Sequence, residues 1–529
     1  MSPPVRRGRI AVEIVFYVLL LAFFFSRAAS AGFSHDENQF IAPGQLLVDH
    51  GLLPYVDYPY THMPYATFFY GLAAAFTDYD FLAGRLLSAV AWFLCALVIG
   101  KAFRNLGSPS GNSPPFFWDI VVVCVFAFNS ILGHIVGNAL NHSLAALFSL
   151  LALAFFVRGF STSGREARLA FGAGALASMA GLTRFNYAVL MPVLGLLYLL
   201  PTLRRRQAVR FRPLIAYGAG VLTAAIPALA LFIAAPRAAL YGNYIYVRLN
   251  TIYYAGLLYR VNMQMGQKLM DFLTYLIASP MDLALYLLML FVLIRSLLRY
   301  FRLAASDALP ELALAGCALA LAVTAFAPTP TQPQYFLAPV PVLCVCLLLA
   351  GRQLYARRRV LLVLLAVLGL AATLAASNAR TSIASIGDLA DPSRWVPLQA
   401  HQFANRLREY VPGGRVLSLL PMFPLEAGYE VYPFAATGPF SWRTSLLLNA
   451  QRRLEYGVTS PEELPAVLER FPPDAVVTGF ESTNPGFDFQ DPGGLEGPFS
   501  GYAQAHGFSP IPVAAPFLEQ HITLWLKQP

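Results

Sequence analysis

Gly32 to Pro64, GFSHDENQFIAPGQLLVDHGLLPYVDYPYTHMP, decides how the chain is read. It follows directly on an apolar run from Ile10 to Phe25. It carries Asp36, Glu37, Asp49, Asp57, His35, His50 and His62 in one short connection. Most of the sequence from there to Asn378 is apolar. Ionisable residues are costly at membrane depth, so a cluster of them at the edge of apolar segments marks a candidate site. Connections also carry function more often than the elements they join. A merely solvated, polar loop is the plainer reading of the same stretch.

Working outward, the whole chain is 57% hydrophobic and 12% charged. A soluble domain has roughly twice that charged fraction, so this is a polytopic membrane protein. The net charge of +9 sits between apolar segments, which is a topology signal and not a nucleic-acid footprint. Cys95, Cys124, Cys317, Cys344 and Cys346 all lie in apolar runs without CxxC spacing, which excludes a disulfide framework. Arg6, Arg7 and Arg9 before the first run, and Ala28-Ala29-Ser30-Ala31 after it, resemble a secretory signal. The run is long for a cleaved signal, so an uncleaved anchor is expected. Either way, Asp36 falls outside the cytoplasm.

A membrane-crossing helix needs about 20 mostly apolar residues. Spans are predicted at 10–27, 82–103, 116–135, 139–157, 168–183, 186–203, 213–235, 273–297, 309–327, 335–351 and 359–378. Residues 64–77 are apolar but short, and read as a helix on the membrane surface. With a cytoplasmic N-terminus, alternate connections carry Lys101 and Arg104; Arg158, Arg165 and Arg168; Arg204, Arg205, Arg206, Arg210 and Arg212; Arg295, Arg299 and Arg302; and Arg352, Arg357, Arg358 and Arg359. The opposite connections hold few basic residues and most of the polar chemistry, as the positive-inside rule requires.

From about Asn378 proline, glycine and charge return. Pro397–Tyr410 has helical spacing, Arg415–Leu420 reads as a buried strand, and Ser460-Pro461-Glu462-Glu463 as a capping box opening a helix to Phe471. Asp474–Thr478 and His521–Leu526 read as further strands. The expectation is a mainly α transmembrane module over 1–378, with an outer loop at 28–81. An extracytoplasmic α/β domain is expected to follow over 379–529.

Asp36-Glu37 can act as a general base or hold a divalent cation. The sequence names no cofactor, and no histidine pair among His35, His62, His134 and His142 has zinc-ligand spacing. Asn138, Asn141 and His142 follow the third span. Thr183-Arg184-Phe185-Asn186 caps a hairpin with almost no loop, where an arginine can snorkel to headgroups or bind a phosphate. The long outer connection interleaves Tyr241, Tyr244, Tyr246, Tyr253, Tyr254 and Tyr259 with Arg248 and Arg260, suiting a sugar phosphate or an aromatic belt.

This set resembles the GT-C glycosyltransferases that use polyprenyl-phosphate sugars. The likeness is nearest to bacterial members related to the aminoarabinose-to-lipid A transferase, the protein O-mannosyltransferases and the lipopolysaccharide galacturonosyltransferases. His35-Asp36-Glu37 after the first span, Gly51–Pro64, Ala83-Gly84-Arg85-Leu86, Leu182-Thr183-Arg184, and Gln334-Tyr335 before Pro339 carry the resemblance. It covers most of residues 1–380. It implies a GT-C fold in a bacterial inner membrane and a site on the periplasmic side. The implied reaction transfers sugar from a lipid-linked donor to a lipid, glycan or protein. Asp36 is the matching catalytic acid with Glu37 beside it, and Arg184, Arg248 and Arg260 suit the donor phosphate. Asp57, His62, Arg85, Asn141, His142, Gln334 and Tyr335 complete the expected binding set. The sequence has no glycine-rich nucleotide loop at a strand–helix junction, which fits a lipid-linked donor. The rival reading is a transporter or flippase of a glycolipid, disfavoured because the charges lie at one face.

Overall fold

The structure is a computed structural model. It describes residues 3–103, 116–162, 164–205, 211–256, 263–302, 308–376, 383–411, 413–481, 494–518 and 520–527. Its body is a bundle of apolar helices, and among the described residues six are long and apolar enough to cross a membrane. Four shorter apolar helices accompany these. The chain is therefore a multi-pass membrane protein.

Most predicted spans fall on one helix. These are α1 (Pro3–Ser30), α2 (Asn38–Asp49), α3 (Tyr65–Ala74), α4 (Asp80–Leu97), α5 (Phe116–Ala127), α6 (Ser130–Ile135), α7 (Asn141–Ser161), α8 (Glu166–Thr183), α9 (Leu190–Arg205) and α10 (Phe211–Ala234). After them come α11 (Pro236–Leu240), α12 (Tyr246–Gly256), α13 (Met265–Ala278), α14 (Pro280–Arg302), α15 (Leu309–Thr324), α16 (Val340–Arg357) and α17 (Arg359–Ala376). Two predicted spans are broken. The span at 116–135 splits at Asn129, whose side chain caps α6 by accepting from the Ile131 and Leu132 amides at 3.1 and 3.2 Å. The span at 273–297 straddles two helices, because Pro280 has no amide hydrogen to continue α13 and instead opens α14.

Helices α8 and α10 pack on glycine. A Cβ on Gly174 would lie 2.1 Å from the Tyr217 carbonyl oxygen, and one on Gly220 would lie 2.0 Å from that of Phe171. Such close backbone approach replaces the missing hydrophobic drive between helices in lipid.

The connection after α1, expected as an outer loop, is largely helical. A 3-10 turn, His35–Glu37, runs into α2, which carries Pro43 inside it and is buried along most of its length. The α2 backbone lies against α3, where a Cβ on Gly44 would meet the Gly71 nitrogen at 2.7 Å.

The C-terminal region adds α18 (Val396–Tyr410), α19 (Met422–Glu426), α20 (Pro439–Thr444), α21 (Ala450–Tyr456), α22 (Leu464–Arg470) and α23 (Gly497–Ala505). They surround a five-stranded sheet of β1 (Arg415–Ser418), β2 (Glu430–Val431), β3 (Ala475–Thr478), β4 (Phe508–Ala515) and β5 (Gln520–Lys527), in the order β2-β1-β3-β5-β4. Strand β1 is parallel to β2 and β3, while β5 runs antiparallel to β3 and β4. Helix α22 begins at Leu464, later than the capping signal at Ser460 suggested, although the Ser460 amide does donate to Glu463 at 3.1 Å.

An aromatic cluster joins this region to the first connection. Phe33 lies 5.9 Å from Phe81, 5.2 Å from Phe423 and 5.3 Å from Phe480, and Phe423 lies 5.3 Å from Phe517. Buried polar contacts add direction: Gln45 Nε2 donates to the Met422 carbonyl at 3.3 Å, and the Phe81 amide donates to Glu426 at 3.3 Å. One core therefore runs from α1 into α18 and β1.

Candidate functional site

Asp36 and Glu37 are neighbours with different surroundings. Glu37 is fully enclosed and ion-paired to Arg85, itself fully enclosed. Arg85 Nε and Nη2 donate to the two carboxylate oxygens at 2.9 and 2.8 Å. The Ala139 amide and Asn138 Nδ2 donate to the same carboxylate at 2.8 and 3.2 Å. The guanidinium also reaches the Ala31 and Gly32 carbonyls, at 2.6 and 2.9 Å. The pair thus ties the end of α1 to α4 and to the turn before α7. Expected as a second catalytic acid and a substrate contact, Glu37 and Arg85 instead form a closed structural pin. Both carboxylate oxygens of Glu37 accept from donors within the protein.

Asp36 faces the other way, with its side chain 37% exposed. Gln39 Nε2 donates to its Oδ1 at 2.9 Å, and His35 Nε2 lies 3.4 Å from the same oxygen. His62 Nε2 donates to Gln39 Oε1 in turn. Enclosure pushes the Asp36 carboxyl up, but the hydrogen bond and charge of His35, with Arg443 and His62 behind it, hold it below its ordinary value. His35 is flanked by a second carboxylate, Glu481 at 3.4 Å. Burial alone would lower the His35 pKa, yet Glu481 and Asp36 raise it to about 10. Burial and the charge of Arg184 lower His62 to about 4, which leaves it neutral.

Two arginines complete the ring. Arg184 follows α8 and is held by Asn141 Oδ1, which accepts from Nη1 at 2.7 Å; its guanidinium lies 5.2 Å over the Tyr335 ring. Asn141 is fixed by donating to the Thr183 carbonyl at 3.3 Å. Arg184 is close enough to Asp36 to interact with its charge, and His142 is close to both Arg184 and His62. Arg443, on α20, comes from the far end of the chain. Its Nη2 donates to Tyr246 and Asn250 at 3.0 and 2.8 Å, and it stacks 4.6 Å over Phe440 and 5.3 Å over Tyr254. Burial opposes its charge, but the three tyrosines around it, Tyr246, Tyr254 and Tyr253, raise its pKa above the usual arginine value.

Of the expected residues, Asp36, His62, Asn141, His142, Arg184 and Tyr335 therefore come together, with Gln334 in the 3-10 turn that carries Tyr335. Asp57 stands apart: it is exposed and accepts from the Leu53 amide at 2.7 Å, which makes it a turn-former. Arg248 is exposed on α12, and Arg260 lies outside the described residues. Sequence reasoning missed Arg443, Asn250, Gln39 and Glu481. The only local signal for Arg443 was a lone arginine in Pro439-Phe440-Ser441-Trp442-Arg443. Among the described residues, no group of three or more histidine, cysteine, aspartate or glutamate side chains is placed to hold a metal ion.

Solved structures share the fold of this chain. ArnT from Cupriavidus metallidurans bound to undecaprenyl phosphate superposes with a TM-score of 0.57 at 13% identity, over 97% of this chain and 98% of that one. The chain has the GT-C fold. The archaeal oligosaccharyltransferase AglB from Archaeoglobus fulgidus, in complex with an inhibitory peptide and a dolichol-phosphate, superposes on this chain with a TM-score of 0.52 at 13% identity. That match covers 98% of this chain and 74% of AglB. No protein-family model matches the sequence, and no curated protein matches it significantly.

Proposed function

We propose that this GT-C chain is a membrane glycosyltransferase. It moves a sugar from a polyprenyl-phosphate donor to a hydroxyl of a lipid, polysaccharide or protein, at the outer face of a bacterial inner membrane. The observation that carries this reading is one part-exposed carboxylate, Asp36, facing two ordered guanidinium groups, Arg184 and Arg443. The likeness to ArnT over nearly the full length of both chains supports a lipid-phosphate ligand, since that structure holds undecaprenyl phosphate.

The chemistry follows from the charges. The acceptor oxygen attacks the anomeric carbon, the bond from that carbon to the phosphate oxygen breaks, and the bonding pair leaves with the lipid phosphate. The hydroxyl proton passes to Asp36. A carboxylate with a depressed pKa is ionised throughout the neutral range, so it is always in the proton-accepting form. It takes the proton late, as the acceptor oxygen becomes acidic on bonding to carbon. The fixed arginines stabilise the charge that develops on the departing phosphate, and guanidinium matches phosphate oxygens through paired donors. With Glu37 locked against Arg85, Asp36 serves as base for a single displacement, which inverts the anomeric centre.

Purified protein in nanodiscs, given a panel of radiolabelled undecaprenyl-phosphate sugars and an envelope lipid extract, is expected to move label into a new product. Absence of transfer across the panel, with the donor recovered intact, would refute the reading. Sidedness is tested separately. A cysteine at Glu469 in whole cells should react with an impermeant maleimide while one at Gln207 should not, and the reverse pattern would place the site on the cytoplasmic face.

A further inference from the structure

Among the described residues beyond 382, six large apolar side chains are exposed: Ile383, Tyr410, Leu446, Leu447, Leu454 and Phe471. Three of the six fall within nine residues of one another, 446–454, although the rest of the region hides its apolar side chains well. Leu454 is 80% exposed, an extreme value for a leucine on a folded surface. Clustered exposed apolar side chains mark an interaction surface, where scattered ones do not.

The place of this corner in the fold says what it meets. Helix α10 is among those long and apolar enough to cross a membrane, and its last turn shows Ile233 78% exposed, a lipid-facing side chain. Helix α11 starts at Pro236, immediately after that crossing, so it lies at the membrane boundary. Helix α21 is fastened there. Arg237 Nη1 is 3.5 Å from Glu455 Oε1, and the Tyr456 ring stacks on Tyr241 at 5.2 Å. Leu448, between the exposed leucines, is buried with Tyr241, Tyr246 and Leu249. The corner is thus fastened beside the end of a crossing helix, where Ile233, Leu240, Tyr244 and Val247 are exposed as well. Two exposed arginines, Arg237 and Arg452, flank the leucines. Apolar tips beside basic side chains form the composition of an element that lies in the interface of an anionic membrane.

We propose that the Ser445–Tyr456 corner of the C-terminal region rests in the headgroup layer of the membrane. Leu446, Leu447 and Leu454 enter the acyl boundary, and Arg237 and Arg452 meet anionic phosphates. The partner is the lipid surface itself. The inference is independent of the reaction proposed above. Because α20 immediately precedes this corner, the same contact fixes the height of Arg443 above the bilayer.

The test is site-directed spin labelling of the full chain, with its five native cysteines replaced, in nanodiscs of phosphatidylcholine with or without phosphatidylglycerol. Single cysteines at Leu446, Leu447 and Leu454 are compared with Ile233→Cys in the crossing helix and Glu469→Cys on α22. The expected result is an oxygen-to-nickel-chelate accessibility ratio several-fold above that at 469 and below that at 233, rising when phosphatidylglycerol is present. Three separate positions guard against the misfolding of any one variant. Ratios equal to that at 469 at all three positions would overturn the proposal. So would exclusion of both reagents, which would mean that a second protein copy covers the corner.

Discussion

The enclosure of Glu37 and the charged cluster around Asp36 begin one residue apart and are built on opposite principles. Around Glu37 every lone pair is met by a donor, both charges are out of solvent, and nothing can enter. Around Asp36 the carboxylate stays part-exposed, and its counter-charges, His35, Arg184 and Arg443, reach it from three separate parts of the chain. The first fixes the backbone so that the second can hold charges ready for a ligand. Chemistry needs a charge whose partner is still to arrive, and stability needs one whose partner is already there. A carboxylate's identity thus says little until its neighbours are known.

The comparison breaks most sharply at Asp36. Asp36→Asn keeps the shape and the Gln39 contact but removes the proton acceptor, and loss of a general base costs about 10²–10⁴ in rate. Transfer should fall by that factor while the thermal midpoint in detergent stays near wild type. Wild-type turnover would move the base elsewhere, and a large drop in midpoint would make Asp36 a second structural acid.

Arg85→Ala should show the converse. Breaking one side of a buried ion pair leaves an uncompensated charge and costs about 3–5 kcal/mol. Unfolding should therefore shift strongly, and transfer should disappear only as folded protein is lost. A variant that folds like wild type yet fails to transfer would return Arg85 to the binding set.

Between these extremes stand the two arginines of the cluster. Arg184→Ala and Arg443→Ala are each expected to lose about 2–4 kcal/mol of transition-state stabilisation, the scale of one fixed donor in a shielded site. Arg184→Lys should recover only part, because a point charge lacks the paired donors of a guanidinium. Steady-state transfer with one donor checks both positions. Full activity in Arg443→Ala would reduce the C-terminal contribution to packing.

How far these roles could be seen in the sequence depends on the distance over which each is determined. Spans are local, so runs of apolar residues gave most of them, and the two broken ones turned on single residues, Asn129 and Pro280. Asp36, Arg184 and Tyr335 could be gathered because each sits at a helix end beside an apolar run, where a charge stands out. Helix α2 was hidden by Pro43 and Gly44, whose local preference is overridden by packing on Gly71 of α3. Strand β4 was hidden by Pro510 and Pro512, tolerated because β4 is an edge strand paired only with β5. The pairing of Glu37 with Arg85 and the arrival of Arg443 beside Asp36 are tertiary facts, set by contacts 48 and about 400 residues away in sequence. No local pattern encodes them.

The smallest expected effect probes the charge that links Asp36 to the C-terminal region. His35 lies between Asp36 and Glu481, and its pKa is raised to about 10. A group whose folded pKa exceeds its unfolded value contributes stability fully below the unfolded value, here about 6.5. That contribution is lost as the pH rises through the folded value, so it fades between about 6.5 and 10. Glu481→Gln removes one of the two carboxylates that hold the proton, so the His35 pKa falls. The variant should be less stable than wild type near neutral pH, and the two should converge as the pH approaches 10. Asp36, facing an imidazole that now loses its proton earlier, should become more basic, so transfer should change in its pH profile more than in its KM. Histidine ring-nitrogen NMR shifts of wild type and Glu481→Gln, with His35→Gln to assign the signal, read the protonation directly. An imidazolium signal that titrates identically in both proteins would show that Glu481 does not hold the His35 proton.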